Sequence, residues 1–112
     1  MQENLAAAGG AAEEQEPELA ELDIEAFAGL ERKPRAKRYL IRIDKKPYVI
    51  EKSVITAREL LLIAGKNLPE TFRIWQVIRG ESHELMKLDD KVDVRAPGVE
   101  KFRTLSRTQT EG

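Results

Sequence analysis

From Lys37 onward the chain alternates apolar and polar positions as its first third does not. Arg38-Tyr39-Leu40-Ile41-Arg42-Ile43-Asp44 puts Tyr39, Ile41 and Ile43 on one face, the period-two pattern of a half-buried strand. Asp44-Lys45-Lys46-Pro47 reads as a tight turn, and Tyr48-Val49-Ile50-Glu51 resumes the extended pattern. A β-hairpin is expected. Thr56-Ala57-Arg58-Glu59 then fits a capping box, in which the threonine hydroxyl and the glutamate carboxylate satisfy each other's backbone N–H. The helix it opens carries Leu60, Leu61, Ile63 and Ala64, and stops near Gly65, a residue suited to a left-handed C′ position. Pro69 closes the connection. Phe72-Arg73-Ile74-Trp75-Gln76-Val77-Ile78 is a third strand by composition and alternation. Arg79-Gly80-Glu81-Ser82 turns, and His83 to Leu88 is a short fourth strand. Residues 89–94 look irregular, Pro97-Gly98 signals a turn, and Val99 to Ser106 is the last strand, with Phe102 its clearest core candidate.

The order β-β-α-β-β-β over about 70 residues predicts an α+β domain: a mixed sheet of four to five strands packed on one helix. A core that small supplies only a few kcal/mol, so every large aliphatic on the helix face counts.

The first third reads differently. Residues 1–16 are mainly Ala, Gly, Glu and Gln with one leucine, too little apolar surface to offset the entropy of ordering, and are expected to be disordered. In residues 17–30, Leu19, Leu22, Ala26, Phe27 and Leu30 approximate a helical stripe behind Pro17, which suggests a short amphipathic helix. Arg32-Lys33-Pro34-Arg35 resembles a linker. The expected organisation is an acidic arm over 1–36, a folded domain over 37–106 and a flexible tail over 107–112.

Charge sharpens that division. Residues 1–31 hold nine acids and no lysine or arginine, whereas the remainder holds nineteen bases against eleven acids. A basic body permits nucleic-acid binding, through Lys37, Arg38, Lys45 and Lys46, but the acidic arm would repel phosphates. The chain has no cysteine, which removes disulfides, a catalytic thiol and cysteine-ligated metal; its single histidine, His83, makes no zinc site of the usual kind. No metal, no cofactor and no catalytic residue of its own is expected, so the chain is not read as an enzyme. No apolar run approaches the ~20 residues of a membrane span, and the start lacks the form of a secretory signal; the cytoplasm is the default location.

Alternation along the third strand also nominates a docking surface. Phe72, Ile74 and Ile78 share one side and are expected to face the helix. Trp75 and Val77 then lie on the open face with Leu105, flanked by Arg73 and Arg103. Tryptophan and arginine are over-represented where partners bind tightly. The competing arrangement turns the strand over and puts Trp75 in the core.

The run RYLIRIDKKPYVIEKSVITARELLLIAGKNL, followed by FRIWQVIRG and LDDKVDVRAPGVEKFRTL, resembles the bacterial multiubiquitin domain over about residues 37–106. The resemblance implies a β-grasp fold, as in ubiquitin, and a protein modifier whose C-terminal carboxylate is activated. The implied partners are an E1-like activating enzyme, an E2-like conjugating enzyme, a deubiquitinase-like protease and target proteins. Gly112 would be the point of conjugation, and Arg107, Thr108, Gln109, Thr110 and Glu111 the tail that the enzymes recognise. Two departures bear on mechanism: the sequence ends Thr110-Glu111-Gly112 without a double glycine, and it holds one domain where the family's tandem members hold several. The alternative is a β-grasp module that docks without being conjugated.

Overall fold

The computed structural model describes residues 18–80 and 82–108. The expected arm up to Pro17 and the tail residues Gln109, Thr110, Glu111 and Gly112 lie outside the described residues. The elements are β1 (Leu19–Asp23), β2 (Ala36–Ile43), β3 (Lys46–Ile50), β4 (Val54–Thr56), α1 (Ala57–Ile63), a 3-10 turn (Pro69–Thr71), β5 (Phe72–Ile78), β6 (Ser82–Met86), β7 (Lys91–Asp93) and β8 (Val99–Ser106).

The class is α+β, with a mixed sheet and one α-helix among the described residues. The main sheet has six strands in the order β1-β2-β8-β5-β6, with β3 also paired to β2, and β4 and β7 form a separate two-stranded ribbon. That exceeds the four to five strands expected. The additions are β1 and the β4–β7 ribbon, whose second strand lies in the segment expected to be irregular.

The hairpin closes on a two-residue turn, Asp44-Lys45, with φ of 54° and 72° and with Ile43 opposite Lys46. Both angles are left-handed, as the twist of a tight hairpin demands. Asp44 tolerates this better than most residues, and its carboxylate is anchored. It accepts from the Thr104 N–H at 2.8 Å and the Thr104 hydroxyl at 2.5 Å, while the Asp44 N–H donates to the Phe102 carbonyl at 3.0 Å. The turn is thereby tied to β8.

Residues 19–23 form a strand, not the expected helix. Leu22 and Ile24 are 1% and 0% exposed, two positions apart, whereas Leu19 and Leu30 of the supposed helical stripe stay in solvent. β1 runs parallel to β2 from Leu19 opposite Ala36 to Asp23 opposite Leu40, and the Ile24 N–H donates to the Leu40 carbonyl at 3.0 Å. β8 meets the same edge of β2 further along, at Ile43 opposite Phe102. The early half of that edge would otherwise present unpaired backbone groups, and β1 satisfies them. Arg42 stands where the two strands part: its Nη1 and Nη2 donate to Asp23 Oδ1 and Oδ2 at 2.9 and 3.3 Å, with Glu25 3.6 Å away. The hydrogen bond from Arg42 holds the Asp23 carboxyl below its usual range. From Glu18 on, the presumed arm therefore belongs to the folded domain.

The presumed linker is also built in. Lys33 is 0% exposed, and its Nζ donates to the Ala96 carbonyl at 2.6 Å. Arg95 answers from the other side, donating from Nη2 to the Lys33 carbonyl at 3.0 Å and from Nε to that of Pro34 at 3.2 Å.

The core lies between the main sheet and α1, with Ile41, Ile43, Ile74 and Phe102 from the sheet meeting Leu60 and Leu61 from the helix and Leu22 from the added strand. The capping box is complete: Thr56 Oγ1 accepts from the Glu59 N–H at 3.1 Å, and Glu59 Oε1 accepts from the Thr56 N–H at 3.0 Å. The hydrogen bond from Lys52, with the Thr56 N–H second, lowers Glu59 to about 2. Gly65, at φ 85°, ends the helix in a Schellman arrangement, its N–H on the Leu62 carbonyl and that of Lys66 on Leu61. Ile63, expected on the core face, is 39% exposed instead, because α1 turns Leu60 and Leu61 inward. No helix among the described residues is long and apolar enough to cross a membrane.

Candidate functional site

The face of the sheet turned away from α1 gathers most of the residues that alternation nominated. β5 lies between β8 and β6, so Trp75 and Val77 each have a neighbour on both sides, while Arg73 is paired on the β8 side alone. Arg73 lies opposite Leu105; Trp75 lies opposite Arg103 on one side and Leu85 on the other; Val77 lies opposite Lys101 and His83. The inward residues behave as expected, with Ile74 1% exposed and Phe72 and Ile78 packed against the core.

Arg103 organises the centre of this face. Its Cζ sits 4.2 Å from the centroid of the Trp75 ring, and its Nε donates to His83 Nδ1 at 3.0 Å. A guanidinium over an indole is held by the ring's electron-rich face, and contributes about 0.5–1 kcal/mol at an exposed site. The side chain thus spans β5 from β8 to β6. Trp75 is half-buried and stays on the open face, so the arrangement with Trp75 in the core does not hold.

Val77 departs from expectation. It points to this side, but at 2% exposure it offers a partner no surface. A short branched side chain between His83 and Lys101, with Arg103 reaching across, becomes floor. Leu85, which sequence reasoning passed over, is 61% exposed beside Trp75 and provides the apolar surface that Val77 does not. The only sequence signal for it was its place in a short strand opposite Trp75.

One end of the face is basic. There Arg73, Lys87 and Arg107, with Arg58 from the first turn of α1, line a pocket of about 490 Å³ beside Leu85, four cations against the two carboxylates of Asp89 and Asp90. Arg58 is loosely held by the exposed Asp89 at 3.3 Å. Arg107 is not loose, as a flexible tail beginning there would require: its N–H donates to the Thr71 carbonyl at 2.9 Å and its Nε to that of Glu70 at 2.9 Å. Thr108, next along, donates its N–H to the Ser106 hydroxyl at 3.3 Å. Arg107 therefore stands at the basic end of the Trp75 face. Gln109, Thr110, Glu111 and Gly112 fall outside the described residues. Among the described residues, no three His, Cys, Asp or Glu side chains are grouped as a metal site would need.

Chemically, the face pairs an apolar centre with exposed cations, an arrangement suited to a protein surface carrying carboxylates around an aliphatic or aromatic patch. Compared with known proteins, residues 39–107 match the model of a family described as Multiubiquitin. No curated protein and no solved structure matches the chain.

Proposed function

The chain belongs to the multiubiquitin family, and from that premise we propose that it is a β-grasp ubiquitin-like protein modifier. In this reading an E1-like enzyme adenylates the Gly112 carboxylate with ATP, releasing pyrophosphate. A cysteine thiolate of that enzyme displaces AMP to give a thioester. An E2-like enzyme takes over the acyl group on its own cysteine, and a target amine displaces the thiolate to form an amide. A deubiquitinase-like protease would hydrolyse that amide. The chain supplies the electrophile and the surface by which the enzymes hold it, and the acids, bases and nucleophiles belong to them. The sheet order β3-β2-β8-β5-β6 around one helix is compatible with a β-grasp, and β1 is an addition that precedes the span matched to the family.

The observation that carries the reading is continuity. The face built from Trp75, Arg103, Leu105 and Leu85 adjoins Arg73 and Arg107, which share a pocket with Leu85, and Arg107 stands five positions before Gly112 in the sequence. In this reading an enzyme seated on this face holds the chain within a few residues of Gly112. Glycine at the reacting end has no Cβ and fits a narrow channel.

The test is intact-mass measurement after mixing the chain with cognate E1-like and E2-like enzymes and ATP. An enzyme thioester, or an amine adduct through Gly112, supports the reading. If deletion of Gly112 leaves enzyme binding and biological activity unchanged and no thioester forms, the chain acts as a docking module, the alternative that the same face also serves.

A further inference from the structure

The turn between β2 and β3 carries a lysine where a glycine would be easier. Lys45, at φ 72°, is the second residue of a two-residue hairpin turn. Such turns favour glycine at that position, because glycine takes left-handed angles at no steric cost. The lysine side chain does not recover that cost in the fold: among the described residues its ammonium has no hydrogen-bond or ion-pair partner. Strained backbone of this kind collects where a side chain must be held for a ligand.

Lys45 shares a pocket of about 400 Å³ with Lys101 and Arg103 of β8 and His83 of β6. Val77 and Phe102, 2% and 1% exposed, close its floor. Among the described residues, Asp44 is the only carboxylate in the lining, and both of its oxygens already accept from Thr104. Three cations thus meet one engaged carboxylate. Lys101 is met by Glu100 at 3.9 Å, the outer limit of an ion pair. Arg103 is oriented from two sides, by the Trp75 ring beneath it and by His83 Nδ1, which accepts its Nε–H. A neutral His83 that accepts at Nδ1 carries its proton on Nε2, so the ring adds a donor of its own.

We propose that this pocket binds the dianion of a phosphate monoester. Its donors come from a turn and two strands, and so approach one point from several directions. A phosphate group offers three terminal oxygens to meet them and nearly two negative charges above about pH 6, whereas a carboxylate offers two oxygens in one plane and a single charge. The guanidinium supplies directed N–H donors and the two ammonium groups supply compact charge. The apolar floor lowers the local dielectric and strengthens the attraction. The basic pocket at Arg73 and Arg107 suits a phosphate less well. There Arg58 is paired with Asp89, and Arg107 Nε is spent on the Glu70 carbonyl. Two sources can present the group: a small phosphate compound, or a phosphorylated side chain of a partner protein.

The test does not depend on conjugation. The isotope-labelled full chain is titrated, at about pH 7.5 and constant ionic strength, with inorganic phosphate, with acetate and with a short, otherwise uncharged peptide carrying one phosphoserine. Phosphate and phosphopeptide should shift Lys45, Val77, His83 and Lys101 together and saturate, and acetate should not. Lys45→Gly separates binding from folding, since it relieves the strained turn. It should melt above wild type and yet bind phosphate about tenfold more weakly. Lys101→Gln should weaken binding to a similar degree, whereas Lys37→Gln, which removes the same charge outside the pocket, should leave it unchanged. Equal affinity for phosphate and phosphopeptide assigns the site to small phosphate compounds, and a markedly tighter phosphopeptide assigns it to phosphorylated proteins. Acetate binding as tight as phosphate, shifts centred on Arg73 and Arg107, or a stabilised Lys45→Gly protein with wild-type phosphate affinity would each overturn the proposal.

Discussion

Lys33 and Ala96, 63 positions apart in the chain, are joined by a 2.6 Å hydrogen bond from the buried ammonium to the carbonyl oxygen. With Arg95 gripping the carbonyls of Lys33 and Pro34, it clasps the segment before β2 to the loop before β8. Desolvation pushes Lys33 down from 10.5 to about 8, against a smaller opposing pull from Asp93. Between about pH 8 and 10.5, the unfolded chain then holds a proton that the folded chain has released, so stability rises with pH across that window. Below it both states are protonated, and the whole cost of burying the ammonium is present. Relative to Lys33→Met, the wild type should gain up to about 3 kcal/mol over the window. Urea unfolding at both ends measures this, and identical pH dependence in the two proteins would refute it.

β1 should prove integral to the domain. Leu22→Ala or Ile24→Ala should each cost about 2–5 kcal/mol, since both side chains are fully buried. Asp23 adds a pH signature. Its carboxyl is lowered from 3.8 by Arg42, so its contribution is complete above about pH 4 and is lost as pH falls through the depressed value. Asp23→Asn should melt below wild type at pH 7, and the gap should close in acid. A constant gap, or silent alanine variants, would show that β1 adds nothing to stability.

Burial ranks the helix substitutions. Thr56→Ala should cost about 1 kcal/mol through the lost cap, and Leu60→Ala and Leu61→Ala about 2–5. Leu62→Ala and Ile63→Ala should stay near or below about 1, as exposed positions do. Glu59, at about 2 against an ordinary 4.5, supports the cap fully above about pH 4.5 and progressively less toward pH 2. Thermal melts of the five variants check the ranking. An Ile63 variant as damaged as Leu60 would mean that α1 packs in a different rotation.

At the docking face, contact and chemistry should separate. Arg107→Glu or Arg73→Glu should weaken engagement of an E1-like enzyme about tenfold or more, and higher enzyme concentration should restore thioester yield. Deleting Gly112 should stop transfer at any concentration while the melting temperature stays fixed. Trp75→Ala should cost binding about 2 kcal/mol or more. ATP-dependent thioester formation at the wild-type rate by the Gly112 deletion would overturn the modifier reading.

Much of the fold was legible from local signals. β5 falls on the expected residues because branched and aromatic side chains fill it, β8 because the Pro97-Gly98 turn sets its start and Phe102 marks its core side, and the Thr56–Glu59 box marked the helix start because a cap is a four-residue affair. The open face was legible too, since a period of two puts Trp75 and Arg73 on the same side whatever lies around them. Val77 shows the limit of that reasoning: alternation gives its direction, but its burial depends on His83, Lys101 and Arg103, which come from two other strands.

By itself, then, the sequence determined the hairpin, the capped helix, β5, β8 and the side of the sheet on which Trp75 lies, all of them consequences of spacing within a few residues. Tertiary structure alone decided that residues 19–23 are a strand, that Lys33 is an anchor, and that Lys91–Asp93 pairs with Val54–Thr56. Leu19, Leu22, Phe27 and Leu30 fit a helical stripe as readily as Leu22 and Ile24 fit a strand. What selects between them is the unpaired edge of β2. The backbone hydrogen bonds waiting there outweigh a local preference worth a few tenths of a kcal/mol per residue.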